Sequence, residues 1–144
     1  MSLIYHDIIK GKPVAQGRPR FVSRGRFVQV YDPKSSKDYK QLLKDKCQYN
    51  GEPYNKPFSL TIYVYANIPS SFKKADKEKA EQGLIRPAKK PDVDNYAKGI
   101  MDALTGIVWV DDNICLDLIV KKFYSKDPRI ELWVETIDGL ELPF

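Results

Sequence analysis

Phe58-Ser59-Leu60-Thr61-Ile62-Tyr63-Val64-Tyr65-Ala66-Asn67 places apolar residues at the even positions from 58 to 66 and Ser, Thr, Tyr, Tyr and Asn at the odd ones. A period of two is that of a strand with one buried face. A sheet buried on one face needs a second layer, of helices or of another sheet, to cover it. The rest of the chain supplies helices, interleaved irregularly with further strands. The fold expected is therefore α/β (α+β): one domain over residues 1–144, a mixed sheet with helices packed on it.

Working outward, Ile4, Ile8 and Ile9 mark a first strand. Residues 17–26 form a basic, glycine-punctuated stretch, read as a hairpin tip between Phe21-Val22 and Phe27-Val28-Gln29-Val30. Asp32 suits a helix N-cap and Pro33 a first helical position. Tyr39, Leu42, Leu43 and Cys47 follow at helical spacing, with Asn50-Gly51 closing that helix. Residues 73–82 read as a solvated helix ended by Gly83, and 85–91 as a loop rich in Lys, Arg and Pro. A helix is expected from about Asn95 to Thr105, with Ala97, Ile100, Met101 and Leu104 as its buried stripe and Gly106 as its cap. Val108-Trp109-Val110 reads as a short apolar strand. Residues 114–124 and 129–137 read as a hairpin joined through 125–128.

The 144 residues carry 24 Lys and Arg against 19 Asp and Glu, a net charge of +5. That excess points to a polyanionic partner, nucleic acid first, with solubility charge as the plainer reading. Cys47 and Cys115 have neither CxxC spacing nor a histidine neighbour, which argues against a zinc site or a disulfide framework and for a reducing compartment. No apolar run approaches membrane-spanning length and no signal-peptide pattern opens the chain, so a cytoplasmic protein is expected. His6, the single histidine, lies in a strand, which disfavours a histidine general base.

Acids crowd one region of this basic chain: Asp92, Asp94, Asp102, Asp111 and Asp112. In an extended segment residues two apart project to the same side, so Asp92 and Asp94 can face one point. Asp94 also sits where an N-cap belongs, and Asp92 where it complements the helix dipole. Capping leaves Asp111-Asp112 unexplained. If the 108–110 strand returned beside the helix, those acids would meet Asp92 and Asp94 and form a hard-oxygen site for Mg²⁺ or Mn²⁺. Solvated turn acids are the alternative. Asp94, Lys98 and Asp102 share one helix face; Lys98 is either a surface ion-pair partner or a cation placed to meet a phosphate. Asp102 is read as structural. With no nucleophile arrangement and no phosphate loop, metal-activated water is the chemistry best supported.

The run Lys90-Pro91-Asp92-Val93-Asp94-Asn95-Tyr96-Ala97-Lys98, then Asp102-Ala103-Leu104 and Asp111-Asp112, resembles the signature of the RusA-type Holliday junction resolvases. The Gly17-Arg18-Pro19-Arg20 stretch extends the likeness more loosely. Tyr96 stands where the family usually has leucine. The resemblance implies a small homodimeric endodeoxyribonuclease, often phage or prophage encoded, that cuts branched DNA at four-way junctions. It implies Mg²⁺, with Mn²⁺ as a substitute, held by Asp92, Asp94 and Asp112 with Asp111 assisting, and Lys98 as the essential cation. No organic cofactor and no membrane partner are expected. Basic residues are assigned to DNA: Arg18, Arg20, Arg24 and Arg26 on the hairpin, and Lys73, Lys74, Lys89 and Lys90 flanking the site. Phe21 and Phe72 are either junction wedges or core residues, the core being the simpler expectation. Two rival readings stand beside this one. A junction-binding module without catalysis would bind and not cut. A metal-dependent glycosyltransferase would use Asp92-Val93-Asp94 for a sugar nucleotide.

Overall fold

The computed structural model describes residues 2–17, 20–31 and 33–141, with the backbone alone at positions 20, 22, 24, 27 and 29–31. Its elements are β1 (Leu3–Lys10), β2 (Arg20–Arg24), β3 (Phe27–Tyr31), α1 (Lys34–Lys46), β4 (Phe58–Asn67), α2 (Lys74–Glu81), α3 (Val93–Leu104), β5 (Cys115–Ser125) and β6 (Arg129–Thr136). Four strands form one mixed sheet in the order β1-β6-β4-β5, and β2 and β3 pair as a separate ribbon. The expected mixed sheet with helices on it is present.

The alternation in β4 is realised from Leu60 to Tyr65, while Ser59 is also buried and Ala66 is half-buried. Phe58, Leu60, Ile62 and Val64 are buried on the helix-bearing face, where Tyr39 and Leu43 of α1 and Ile100 and Leu104 of α3 join them in the core. The opposite face carries half-buried rings: Trp133 stacks on His6, packs against Tyr63, and Phe123 stacks on Tyr65. His6 is thus a packing residue of the sheet.

Several local expectations are corrected. β5 and β6 are not a hairpin, because β4 lies between them, parallel to β5 and antiparallel to β6. The strand with the most fully buried side chains takes the centre, and the 126–128 link crosses its end. That crossing spans two strand spacings, roughly 9.6 Å, which three extended residues can bridge. Pro33 occupies the cap position of α1 rather than its first turn, and the helix ends at Lys46, before Asn50-Gly51. Asp32 lies outside the described residues. Phe21 is 69% exposed and so is no core residue. Phe72 is half-buried against Tyr124, ring centroids 5.6 Å apart.

Candidate active site

Helix α3 organises the site. Asp92, not Asp94, occupies its N-cap position, and its side chain makes no capping hydrogen bond. Asp94 falls in the first turn. Both carboxylates are exposed, and neither has a hydrogen bond or ion pair with a described residue. Capping therefore does not account for either acid.

The backbone around them is held from three sides. Lys122 of β5 donates from Nζ to the carbonyl oxygens of Lys89 (2.8 Å) and Pro91 (2.9 Å). Between those residues the Lys90–Pro91 peptide is cis. The Gln16 amide donates to Asn95 O at 2.9 Å, lashing the β1–β2 connection onto the first turn of α3. Gly99 lies at this contact, where a Cβ would meet Gln16 N at 3.4 Å, an ordinary packing distance. The Gly17 amide then donates to Ser36 Oγ at 2.8 Å, and a Cβ on Gly17 would lie 2.8 Å from Pro33 Cγ. The ribbon of β2 and β3 thus departs from a point fixed beside α3.

Asp111 and Asp112 sit at the other end of the helix. Gly106 turns at φ +88°, and its amide donates to Trp109 O at 2.7 Å. Val108 and Trp109 are buried, and Val108 O and the Val110 amide bond Tyr54. The 108–110 run is therefore a pinned turn, not a strand returning to the N-terminus. Oδ1 of Asp112 accepts from the hydroxyl of Thr105, the C-cap of α3, and from Trp109 Nε1 at 3.0 Å. Asp111 accepts from the Asn113 amide at 3.1 Å, capping the 3-10 turn Asp112–Ile114. From Asp94 to Thr105 the helix advances roughly 16 Å. The expected convergence of the two acid pairs does not occur within one chain. Among the described residues no group of three His, Cys, Asp or Glu is placed to hold a metal.

Lys98 is 64% exposed and lies 3.7 Å from Asp102, which also pairs with Lys40 of α1 at 3.5 Å. Asp102 thus has the structural role expected of it, tying α3 to α1. Lys89 and Lys90 are exposed beside Asp92; Lys73 precedes α2 as its cap residue, and Lys74 begins it. Arg26 is exposed at the tip of the ribbon. Arg18 and the side chains of Arg20 and Arg24 lie outside the described residues. Burial pushes the Cys115 thiol up to about 11, helped by the charges of Asp112 and Asp117. It is neutral and a poor metal ligand at neutral pH.

Sequence reasoning missed four participants. Thr105 and Trp109 orient Asp112, and their one signal was a polar residue at the helix end and an indole three positions before an acid. Lys12 and Tyr96 line a hollow beside Asp92 together with Val14 and Gln16. They come from distant parts of the chain.

A small mixed-sheet domain with exposed acids at a helix N-terminus, bordered by lysines, has the makings of a hydrolase acting on a polyanion. The family model of endodeoxyribonuclease RusA matches residues 10–135. The chain belongs to that family of DNA endonucleases. It is also 44% identical over 135 residues to an uncharacterized protein, YqaN, of Bacillus subtilis (strain 168), covering 91% of this chain and 95% of the relative. Among the described residues no helix is long and apolar enough to cross a membrane.

Proposed function

We propose that the chain is a Mg²⁺-dependent endonuclease that resolves four-way DNA junctions by paired, symmetric cuts as a two-fold homodimer, with Mn²⁺ able to replace Mg²⁺. The observation that carries this reading is the state of the acids. Asp92 and Asp94 stand exposed without a described partner, and Asp112 is held by two donors through one oxygen. Free carboxylates are the donors Mg²⁺ takes, commonly one or two of them with waters and substrate phosphates. A ligand oriented by neighbouring donors is equally typical of metal sites. Two side-chain donors orient Asp112, against a single backbone amide on Asp111, and this favours Asp112 as the ligand.

When bound, the ion would lower the pKa of a water and offset charge on the phosphate. The chain's own residues do the rest. Asp92 and Asp94 hold the ion at the helix N-terminus. Lys98, one turn further on, meets negative charge that grows on the phosphate oxygens. Lys89 and Lys90 hold the adjoining backbone phosphates.

Asp112 lies too far along α3 to join its own Asp92 and Asp94. A two-fold axis passing beside α3 and perpendicular to it would set two such helices antiparallel and bring Asp112 of one copy to Asp92 and Asp94 of the other. Val110, Leu116 and Leu118, exposed beside the Asp112 end, offer apolar surface for that contact. Leu116 and Leu118 lie two apart on β5, an edge strand, and so project from one face of the sheet. An isologous dimer carries two equivalent sites, as a junction of near two-fold symmetry requires.

Mixing inactive variants tests this. Asp94→Asn and Asp112→Asn proteins should each bind a synthetic four-way junction and fail to cut it with Mg²⁺. Mixed, they form heterodimers in which one shared site carries both changes and the other carries neither. Nicking of one strand should return. Sites built within single chains would never recover, and persistent silence of the mixture, with the wild type active, defeats the shared site. Wild-type binding without cleavage in Mg²⁺ or Mn²⁺ would leave a junction-binding module instead.

A further inference from the structure

Beside the first turn of α3 lie two adjoining hollows of about 290 Å³ and about 620 Å³. Lys12, Lys90, Pro91 and Tyr96 line both, so they form one cleft. Asp92 stands on its wider end; Lys89 and Lys122 edge its narrower end. The Lys122 ammonium is engaged by the Lys89 and Pro91 carbonyls. Lys12, Lys89 and Lys90 are exposed, and their side chains have no bond to a described residue. Three available cations facing a single carboxylate select an anionic occupant.

The lining is mixed: Val14, Pro91 and Tyr96 are joined by the polar side chains of Gln16, Asn67 and Asn95. Tyr96 is only 4% exposed, yet its hydroxyl makes no hydrogen bond with a described residue. That oxygen is solvent-accessible and can bond a ligand in the cleft it lines. Hollows of roughly 300–1,000 Å³ suit a ligand of nucleotide size, and a duplex is far too wide to enter.

We infer that this cleft receives an unpaired nucleotide of the DNA strand adjoining the cut, its phosphate on Lys12 and Lys90 and its base on the floor made by Pro91 and Tyr96. The inference rests on the endonuclease reading and names the form of DNA that the site selects. Withdrawing a base from a stack costs least where pairing is already broken. A cleft that fills only with an unpaired nucleotide therefore favours branch points over continuous duplex. Lys12 is a positioning residue in this scheme, far in sequence from the acids.

The test is single-strand binding in EDTA, which needs neither metal nor cleavage. Fluorescence anisotropy would follow labelled oligothymidylate of eight nucleotides against the full chain. Lys12→Gln should weaken binding and flatten its salt slope by about 0.7, the value for one phosphate on a single strand. Tyr96→Phe, which keeps the ring, should weaken it about threefold to tenfold. Lys44→Gln on the far end of α1 should change neither quantity. In a junction with 2-aminopurine beside the cut, fluorescence should rise on binding the wild type. An unchanged slope in Lys12→Gln, an equal loss in Lys44→Gln, or 2-aminopurine that stays quenched would overturn the inference. Junction cleavage with no oligothymidylate binding would sink the cleft and spare the nuclease. Oligothymidylate binding sensitive to Lys12, with no junction cleavage, would do the reverse.

Discussion

The indole N–H of Trp109 donates to Oδ1 of Asp112 at 3.0 Å from a fully buried ring. The Thr105 hydroxyl, whose one hydrogen is shared between Met101 O at 2.7 Å and the same Asp112 oxygen, also accepts from Trp109 Nε1 at 2.9 Å. The three groups fix one oxygen of the carboxylate at the end of α3, and no hydrogen bond with a described residue engages the other. Thr105→Val removes one of these donors. Metal affinity should fall about 10- to 100-fold, as when other orienting partners are lost. The Mg²⁺ midpoint of cleavage should rise correspondingly, with junction binding in EDTA unchanged. A midpoint that stays put would strip Thr105 of any orienting role.

Lys98 separates chemistry from packing. Lys98→Ala should lower the single-turnover rate by on the order of 10²-fold or more if its ammonium meets charge in the transition state. Asp102→Asn removes its ion-pair partner and should cost no more than about 1 kcal/mol in urea unfolding. Equal, small effects of both substitutions on the rate would reduce Lys98 to half of a surface pair.

Leu116 and Leu118 are 52% and 45% exposed at the Asp112 end of the site. Replacing both by Ser should yield a folded monomer by sedimentation, with an unchanged circular dichroism spectrum and no junction cleavage. A double variant that remains dimeric and active would move the interface elsewhere.

Lys89 and Lys90 are assigned to phosphates. Changing both to Gln should reduce the salt dependence of junction binding by about 1.8 in the log–log slope, 0.9 for each contact. Loss of affinity with the slope preserved would mean that they act on something other than the backbone.

The raised Cys115 thiol gives a dependence on pH. With a pKa of about 11 it is neutral at pH 8 and ionises only as pH climbs toward that value. Thiolate is the reactive form, so iodoacetamide should label Cys115 slowly at pH 8, about tenfold faster with each pH unit up to 10. Rapid labelling at pH 8, mapped by mass spectrometry, would contradict the burial of this side chain.

Residues with strong periodicity were readable from the chain. The alternation in β4 and the stripe of Ala97, Ile100, Met101 and Leu104 each match one geometry and exclude the other; in the stripe Ala97, Ile100 and Leu104 are buried and Met101 is half-buried. Strand order was less accessible. β5 and β6 look like neighbours because a short turn joins them, and nothing local records that β4 has claimed the place between them. The 108–110 triplet was ambiguous for a related reason: three apolar residues satisfy a strand and a buried turn alike, and Tyr54, far off in sequence, decides. At the head of α3 two aspartates both suited the cap, and the choice shifted by two residues. The acids themselves were legible as a site. Their separation along a rigid helix was not, since it follows from where the chain turns after Leu104.

The placement of β6 has a consequence for how the molecule is made. Among the described residues β1 pairs only with β6, and β6 also pairs with β4. β1 therefore waits, without a sheet partner, until β6 has been translated. Helix α3 and its acids emerge well before that moment. A nascent chain stopped before Arg129 would carry every acidic residue of the site on a sheet that cannot yet close.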